Sequence, residues 1–408
     1  MNYTQTMAVM DFGSETDRAV VAEAGVNGSW KIIGYYSSFA ERGENRNFHN
    51  IENLRHRINL VLEGAQLKAG RMIEGVSASV GGALIDSIPS KGAVPISSRR
   101  GEVSLNDIRK VEEYARTIPI SAGRSVLQVL PKYYGVDGIY GIRDPLNMVG
   151  VRLEVAVLIL TIFTSVMDNV SQAFQRTGYK LRDITLGTIA AASAILNQDE
   201  WAMGVLLIDI GALKTDFILV KDGAACLTGS VPVGGRTATS DISTVLNIAM
   251  ETAEQLKVKS SSCWPEYNST DDEAFVQSMG GQNTVHVSPA ELIRILEPRM
   301  SEVFSLIWNK IKSSLSADKY PQGVVITGGG ALMNGVAELA HHQFRLPVRI
   351  GKPRSSLRLP MECQDPRWST VIGMLQPTLT GGPVVDEQPE EKTPGIGRKI
   401  MNWFGQFF

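Results

Sequence analysis

Two aspartates, Asp11 and Asp209, each close a short apolar run and are each followed two residues later by a glycine, Gly13 and Gly211. A carboxylate is a hard oxygen ligand suited to Mg2+ or to a water on it, and glycine lets backbone turn tightly and come close to a ligand. Ser14 and Thr16 follow the first aspartate, and Lys214 and Thr215 follow the second, adding hydroxyls and one cation that phosphate oxygens can use. A third element has no side chains at all: Val324-Val-Ile-Thr327 runs straight into Gly328, Gly329 and Gly330, bare backbone on which a flat base or a ribose can lie. Two facing turns of this kind, with the glycine run beside them, suit a nucleotide polyphosphate and its Mg2+ held between two halves of one molecule.

The surrounding pattern supplies elements to hold these residues. Residues 7–10 and 204–208 read as buried strands that break at Asp11 and Asp209 and return over 18–22 and 217–220. Residues 7–37 read as a strand meander, 52–69 as an amphipathic helix and 75–80 as a strand. Between 84 and 163 a separate pattern starts a helix at Ser104-Leu-Asn-Asp107, continues it to 116, and adds strands near 126–134 and 151–160. Helical spacing resumes over 163–176, 189–196, 242–257 and 289–315, with loop and short strands between 260 and 282.

Bulk properties narrow the class. The chain has 408 residues, 43% of them apolar, and a net charge of −2, a balance unlike that of a general nucleic-acid binder. Cys226, Cys263 and Cys363 are scattered, and no apolar run approaches the roughly 20 residues that span a bilayer. Residues 377–394 hold four prolines and several acids, too little apolar content to fold alone. Drawn as a helix, 395–408 puts Ile396, Ile400, Trp403, Phe404 and Phe407 on one stripe and Arg398, Lys399, Asn402 and Gln406 on the other, the composition of an interfacial membrane anchor.

Together the two Asp-x-Gly turns and the triple glycine resemble the actin-like ATPase superfamily, an α/β fold of duplicated ribonuclease-H-like domains. The stretches Gln128-Val-Leu-Pro-Lys-Tyr-Tyr-Gly-Val-Asp-Gly138, Gly141-Ile-Arg-Asp-Pro, Val231-Pro-Val-Gly-Gly235, Glu251-Thr-Ala-Glu-Gln-Leu-Lys257 and Leu346-Pro-Val-Arg-Ile-Gly351 resemble the FtsA family of bacterial cell-division proteins. The resemblance implies a first actin-like domain of residues 1–83, 164–196 and 353–376, with an inserted subdomain at 84–163. A second actin-like domain follows at 197–240 and 304–352 with a subdomain at 241–303, then a linker at 377–394 and the anchor helix at 395–408. It further implies ATP with Mg2+, with Asp11 and Asp209 orienting the metal through water. Glu254 and Lys257 would meet the ribose and base edge beside Gly235, with Gly328, Gly329 and Gly330 beneath. The expected partners are further copies in a filament, the lipid surface of the cytoplasmic face at the division site, later division proteins, and the C-terminal tail of FtsZ at Arg294 and Arg299.

Departures from the family pattern bear on turnover. Thr16 stands where relatives usually carry a lysine, with Glu15 beside it, and Ala212 and Leu213 stand in a loop that is normally glycine-rich. Lys214 offers a cation on the opposite wall. Gly187 occupies the place of the water-orienting Glu or Gln, and glycine cannot position or deprotonate a water. ATP binding with weak or no hydrolysis is the expectation. A pilus-assembly adaptor of the PilM type and a sugar- or acetate-kinase-like phosphotransferase are the competing readings, and neither has a use for the terminal anchor.

Overall fold

Two five-stranded sheets of one plan carry the two aspartate turns in the computed structural model. It describes residues 6–24, 30–39, 47–260, 262–267, 273–279, 281, 283–316, 319–354 and 359–376. The first sheet opens with β1 (Thr6–Asp11), β2 (Thr16–Ala24) and β3 (Trp30–Phe39), an antiparallel meander. Helix α1 (Ile51–Ala69) then returns the chain to β4 (Gly75–Val80), parallel to β1. Leu54, Ile58, Val61, Leu62 and Ala65 make the buried stripe of α1, Asn50 caps its start, and Gly70 ends it at φ 60°, where glycine avoids the Cβ clash.

An insert follows: β5 (Ile85–Pro95), α2 (Leu105–Arg116), β6 (Arg124–Val136), β7 (Ile139–Ile142) and β8 (Arg152–Phe163), with its sheet ordered β5-β8-β6-β7. Ser104 and Asp107 close a reciprocal capping box on α2. Burial opposes the charge on Asp107, but hydrogen bonds from Ser104 and Ser97 outweigh it and hold the carboxyl down to about 2. The long strand β5 has no counterpart in the spacing, because Pro89 and its polar neighbours break the apolar alternation; an edge strand tolerates them. The chain rejoins the first sheet through α3 (Thr164–Gln175) and β9 (Lys180–Leu186), giving the order β3-β2-β1-β4-β9.

After α4 (Gly187–Ile195) and α5 (Gln198–Met203) the plan repeats with β10 (Val205–Ile210), β11 (Thr215–Lys221) and β12 (Ala224–Val231) as the second meander. The helix expected over 242–257 is instead two, α6 (Gly235–Leu246) and α7 (Met250–Ser260). Asn247, in the left-handed region at φ 50°, breaks them apart. Then come β13 (Ala274–Gln277), β14 (Thr284–Val287), the 26-residue α8 (Pro289–Ser314), β15 (Gly323–Thr327), α9 (Val336–Phe344), β16 (Val348–Ile350) and α10 (Ser369–Gly373). The second sheet is ordered β12-β11-β10-β15-β16, with β15 parallel to β10 as β4 is to β1.

The insert rests on the β11–β12 hairpin of the second sheet. Asp216 Oδ2 accepts from the Gly82 N–H at 2.9 Å, Lys132 Nζ donates to the Cys226 carbonyl at 3.2 Å, and Arg143 fills the space above Gly223. Between the two sheets, α4 is buried along its whole length and touches β4 and β9 on one side and β10 and β11 on the other. Its alanines let α10 pack directly on it. A Cβ on Gly373 would lie 1.7 Å from the Ala190 carbonyl oxygen, backbone against backbone. Gly373→Ala must therefore separate α4 from α10, and the overpacking is expected to cost about 1–3 kcal/mol or more, read as a lowered denaturant midpoint.

Candidate functional site

The first aspartate turn is held from behind by a buried ion pair. Strand alternation along β2 sends Asp17 toward α1 and Thr16 and Arg18 to the opposite face. Arg57 of α1 grips Asp17 bidentately, Nε to Oδ2 and Nη2 to Oδ1, both at 2.8 Å, and the two side chains are 2% and 0% exposed. Asp17 Oδ1 also accepts from the Gly13 N–H at 3.1 Å, while Arg57 Nη2 reaches the Gly13 carbonyl at 3.4 Å and the guanidinium lies over the Phe12 ring at 5.3 Å. Only glycine fits at 13, because a Cβ there would stand 2.1 Å from the Thr16 carbonyl oxygen. Asp11 lies opposite Arg18 and Ser79 in the sheet and takes a hydrogen bond from Ser79 Oγ at 2.5 Å.

The second turn is held from the side. Gly211 N–H donates to the Lys214 carbonyl, and the first amides of α6, Gly235 and Arg236, donate to the carbonyls of Gly211 and Ala212 at 2.9 and 2.8 Å. Leu213 points to solvent, so it does not close the turn. Thr215 spends its hydroxyl on the Val233 carbonyl. Asp209 lies opposite Asp216 and Thr327. Gly328, at φ 81°, packs against it so closely that a Cβ would be 2.2 Å from Asp209 Oδ1. Gly330 is pressed equally onto Ile210, which leaves Gly329 as the open member of the run.

The two turns face one another. Burial pushes the Asp209 carboxyl up to about 7, and the like charges of Asp216 and Asp11 add to the rise, while Lys214 and Arg18 oppose it. Burial also raises Asp11, against the Ser79 hydrogen bond and the Arg18 charge. Lys214 Nζ pairs with Asp216 Oδ2 at 3.0 Å and occupies the space above Gly81, where a Cβ would meet it at 1.5 Å. Arg18, absent from the sequence expectations, acts electrostatically on both aspartates; its guanidinium is 5.7 Å from the Trp368 ring and its buried Nε has no hydrogen-bond partner among the described residues. The signal for it is an ionic pair of residues, Asp17-Arg18, set directly before the apolar run Ala19–Ala22 of the same strand.

Further along the cleft, Lys257 Nζ donates to Glu254 Oε2, Thr239 Oγ1 and the Gly235 carbonyl at 2.7, 2.8 and 3.0 Å. The structure thus gathers Gly235, Glu254 and Lys257 into one polar cluster. Gly187 begins α4 next to Thr370, whose Oγ1 donates to Asp209 Oδ2 at 3.5 Å. Arg294 and Arg299 lie on α8 rather than in the cleft. Arg294 is exposed, whereas Arg299 is held by Asp241 of α6, Nε to Oδ2 at 2.5 Å and Nη2 to Oδ1 at 3.0 Å, and by Glu302. Ile396, Arg398, Lys399, Ile400, Trp403, Phe404 and Phe407 lie outside the described residues.

Residues 206–373 match the family model described as "Cell division protein FtsA", and residues 82–161 match "SHS2 domain inserted in FTSA". The chain is similar to the cell division protein FtsA of Borreliella burgdorferi, 33% identical over 401 residues that cover 97% of each chain. Among solved structures it shares its fold with a PilM-PilN type IV pilus biogenesis complex (TM-score 0.63, 16% identity, 90% of this chain and 97% of that one). It shares it also with MreB5 of Spiroplasma citri bound to ADP (TM-score 0.53, 15% identity, 91% and 95%).

Two outcomes follow from this geometry. Arg57→Met takes the guanidinium away from the buried Asp17 carboxylate, an expected loss of about 3–5 kcal/mol in chemical denaturation, and Asp17→Leu added to it recovers most of that loss. The second concerns pH. Asp209 binds its proton more tightly folded than unfolded, so its contribution to stability is full below the free carboxyl value of 3.8 and is lost as pH rises through about 7. The thermal midpoint of the ligand-free protein should fall from pH 6 to pH 8, and Asp209→Asn should flatten that slope and stabilise the protein at pH 8.

Proposed function

The chain belongs to the FtsA family of cell-division proteins and has an actin-like fold, and from this premise we propose that it is a nucleotide-dependent adaptor that assembles on the cytoplasmic membrane at the division site. The observation that carries the reading is the cleft itself: two rigid turns present Asp11 and Asp209 to one another, with Arg18 and Lys214 beside them. Carboxylates raised by burial and mutual repulsion are relieved by a divalent cation, and a buried arginine nitrogen with no hydrogen-bond partner among the described residues suits a phosphate oxygen. The donor set therefore fits ATP with Mg2+. MreB5, which shares the fold, was solved with ADP.

In this reading Asp11 and Asp209 hold Mg2+ through water, and Gly13, Ser14, Thr16, Gly211 and Thr215 shape the turns around the phosphates. Lys214 leaves Asp216 to meet them, and Arg18 supplies the charge that Thr16 lacks. Glu254 and Lys257 take the ribose and base edge beside Gly235, with Gly328, Gly329 and Gly330 under the base. Mg2+ would neutralise the phosphate charge. With Gly187 at the head of α4 no side chain there orients a water, so binding is coupled to weak turnover or none. The division into residues 1–83 with 164–196 and 353–376, 84–163, 197–240 with 304–352, and 241–303 belongs to the same proposal.

Membrane attachment is assigned to the helix of residues 395–408, tethered by 377–394. A single short helix holds lipid weakly, and many copies along a filament multiply that hold through effective concentration. The carboxylates of an FtsZ C-terminal tail suit Arg294 and Arg299, Arg299 exchanging Asp241 for the incoming acid; later division proteins would join the assembly. Family membership favours this over the PilM-type reading, whose support is a likeness of fold at 16% identity. Co-sedimentation with anionic vesicles tests it: the parent should pellet, more so with ATP and Mg2+, and the Trp403→Glu/Phe404→Glu protein should stay in solution. Pelleting by that variant, or no heat of ATP binding in calorimetry, would overturn the anchor or the nucleotide respectively.

A further inference from the structure

One contact spans the cleft from turn to turn. Glu15, two residues past Gly13 in the first turn, accepts from Arg236 Nη1 at 2.7 Å, although the two stand 221 positions apart in sequence. Both ends are anchored. The first turn is fastened to the Arg57–Asp17 pair, and the Arg236 N–H is bonded to the Ala212 carbonyl of the second turn. Flexing in the two side chains gives this bridge its slack, because the backbone behind each of them is fastened. At 40% and 50% exposure the pair remains in reach of solvent, salt and an incoming anion.

We infer that Glu15 and Arg236 form an ionic staple that holds the cleft shut in the absence of ligand, Glu15 supplying the anion that a polyphosphate supplies when bound. The staple rests on the nucleotide reading only for the identity of its competitor. A polyphosphate entering between the turns brings negative charge next to Glu15 and offers Arg236 a second, denser partner. The pair opens on loading, with Arg236 turning from carboxylate to phosphate oxygens and Glu15 moving to water. The unfavourable charge of Glu15 on a phosphate-facing turn thus acquires a role: it sets how much ligand is needed to open the cleft. Surface pairs are screened by salt, so the staple weakens as ionic strength rises.

Hydrogen–deuterium exchange of the ligand-free full chain at low salt decides it, followed in peptides covering residues 11–18 and 209–216. Glu15→Gln and Arg236→Gln should each raise exchange in both turns by about two- to fivefold, the range a half-exposed pair supports. The charge swap, Glu15→Arg with Arg236→Glu, should return exchange to the parent rate. Parent-like exchange in both single variants, or a swap that stays fast, overturns the staple. In calorimetry with ATP and Mg2+, Glu15→Gln should bind severalfold more tightly than the parent, and equal or weaker binding overturns the competition. If neither protein binds ATP the nucleotide reading fails, and the exchange rates still decide whether the staple exists.

Discussion

The buried pair between Arg57 and Asp17 is the constraint on which the first half of the cleft depends. It takes two charges out of water, which is costly, and recovers the cost only because the geometry is bidentate and the spare oxygen and nitrogen positions are used on the Gly13 backbone. That arrangement turns a flexible Asp-x-Gly loop into a fixed wall. A hydrophobic pair of the same volume could support the sheet equally well, but it could not hold the Gly13 amide and carbonyl. The ion pair therefore serves position more than stability.

The second wall is fixed by different means. The first amides of α6 donate to the carbonyls of Gly211 and Ala212, backbone bonds that do not depend on the side chains at 212 and 213, so the turn tolerates Ala212 and Leu213 where glycine was expected. Its outer edge, the β11–β12 hairpin, carries the insert through Asp216, Cys226 and Gly223. Movement of the second turn is consequently linked to the root of the insert at Gly82. The α4–α10 contact, backbone to backbone at Gly373, is the shared floor beneath both walls.

The charges inside the cleft are arranged with little margin. Burial raises Asp11 and Asp209, and the charges of Asp216 and Asp11 raise Asp209 further. Lys214, Arg18 and the Ser79 hydrogen bond hold them in place without fully compensating them. Such a group destabilises the ligand-free fold, because buried like charges are held close together. Lys214 is part of this balance, already engaged by Asp216 rather than standing free on its wall.

Much of this was legible in the chain. Local chemistry determined the capping box at Ser104 and Asp107, the strand from Gly75 to Val80, the stripe of α1, and the paired turns at Asp11 and Asp209, because each depends on residues within a few positions of one another. The break at Asn247 and the edge strand β5 escaped, since there backbone conformation and sheet position override the apolar period. What only the tertiary structure decided were the partners of charges: Arg57 with Asp17 across 40 positions, Glu15 with Arg236 across 221, Arg299 with Asp241 across 58. A charge in sequence shows only that it needs compensation. Which opposite charge supplies it is settled by the packing of helices on sheets that bring distant segments within about 3 Å, a distance that hydrogen bonding requires and periodicity cannot express.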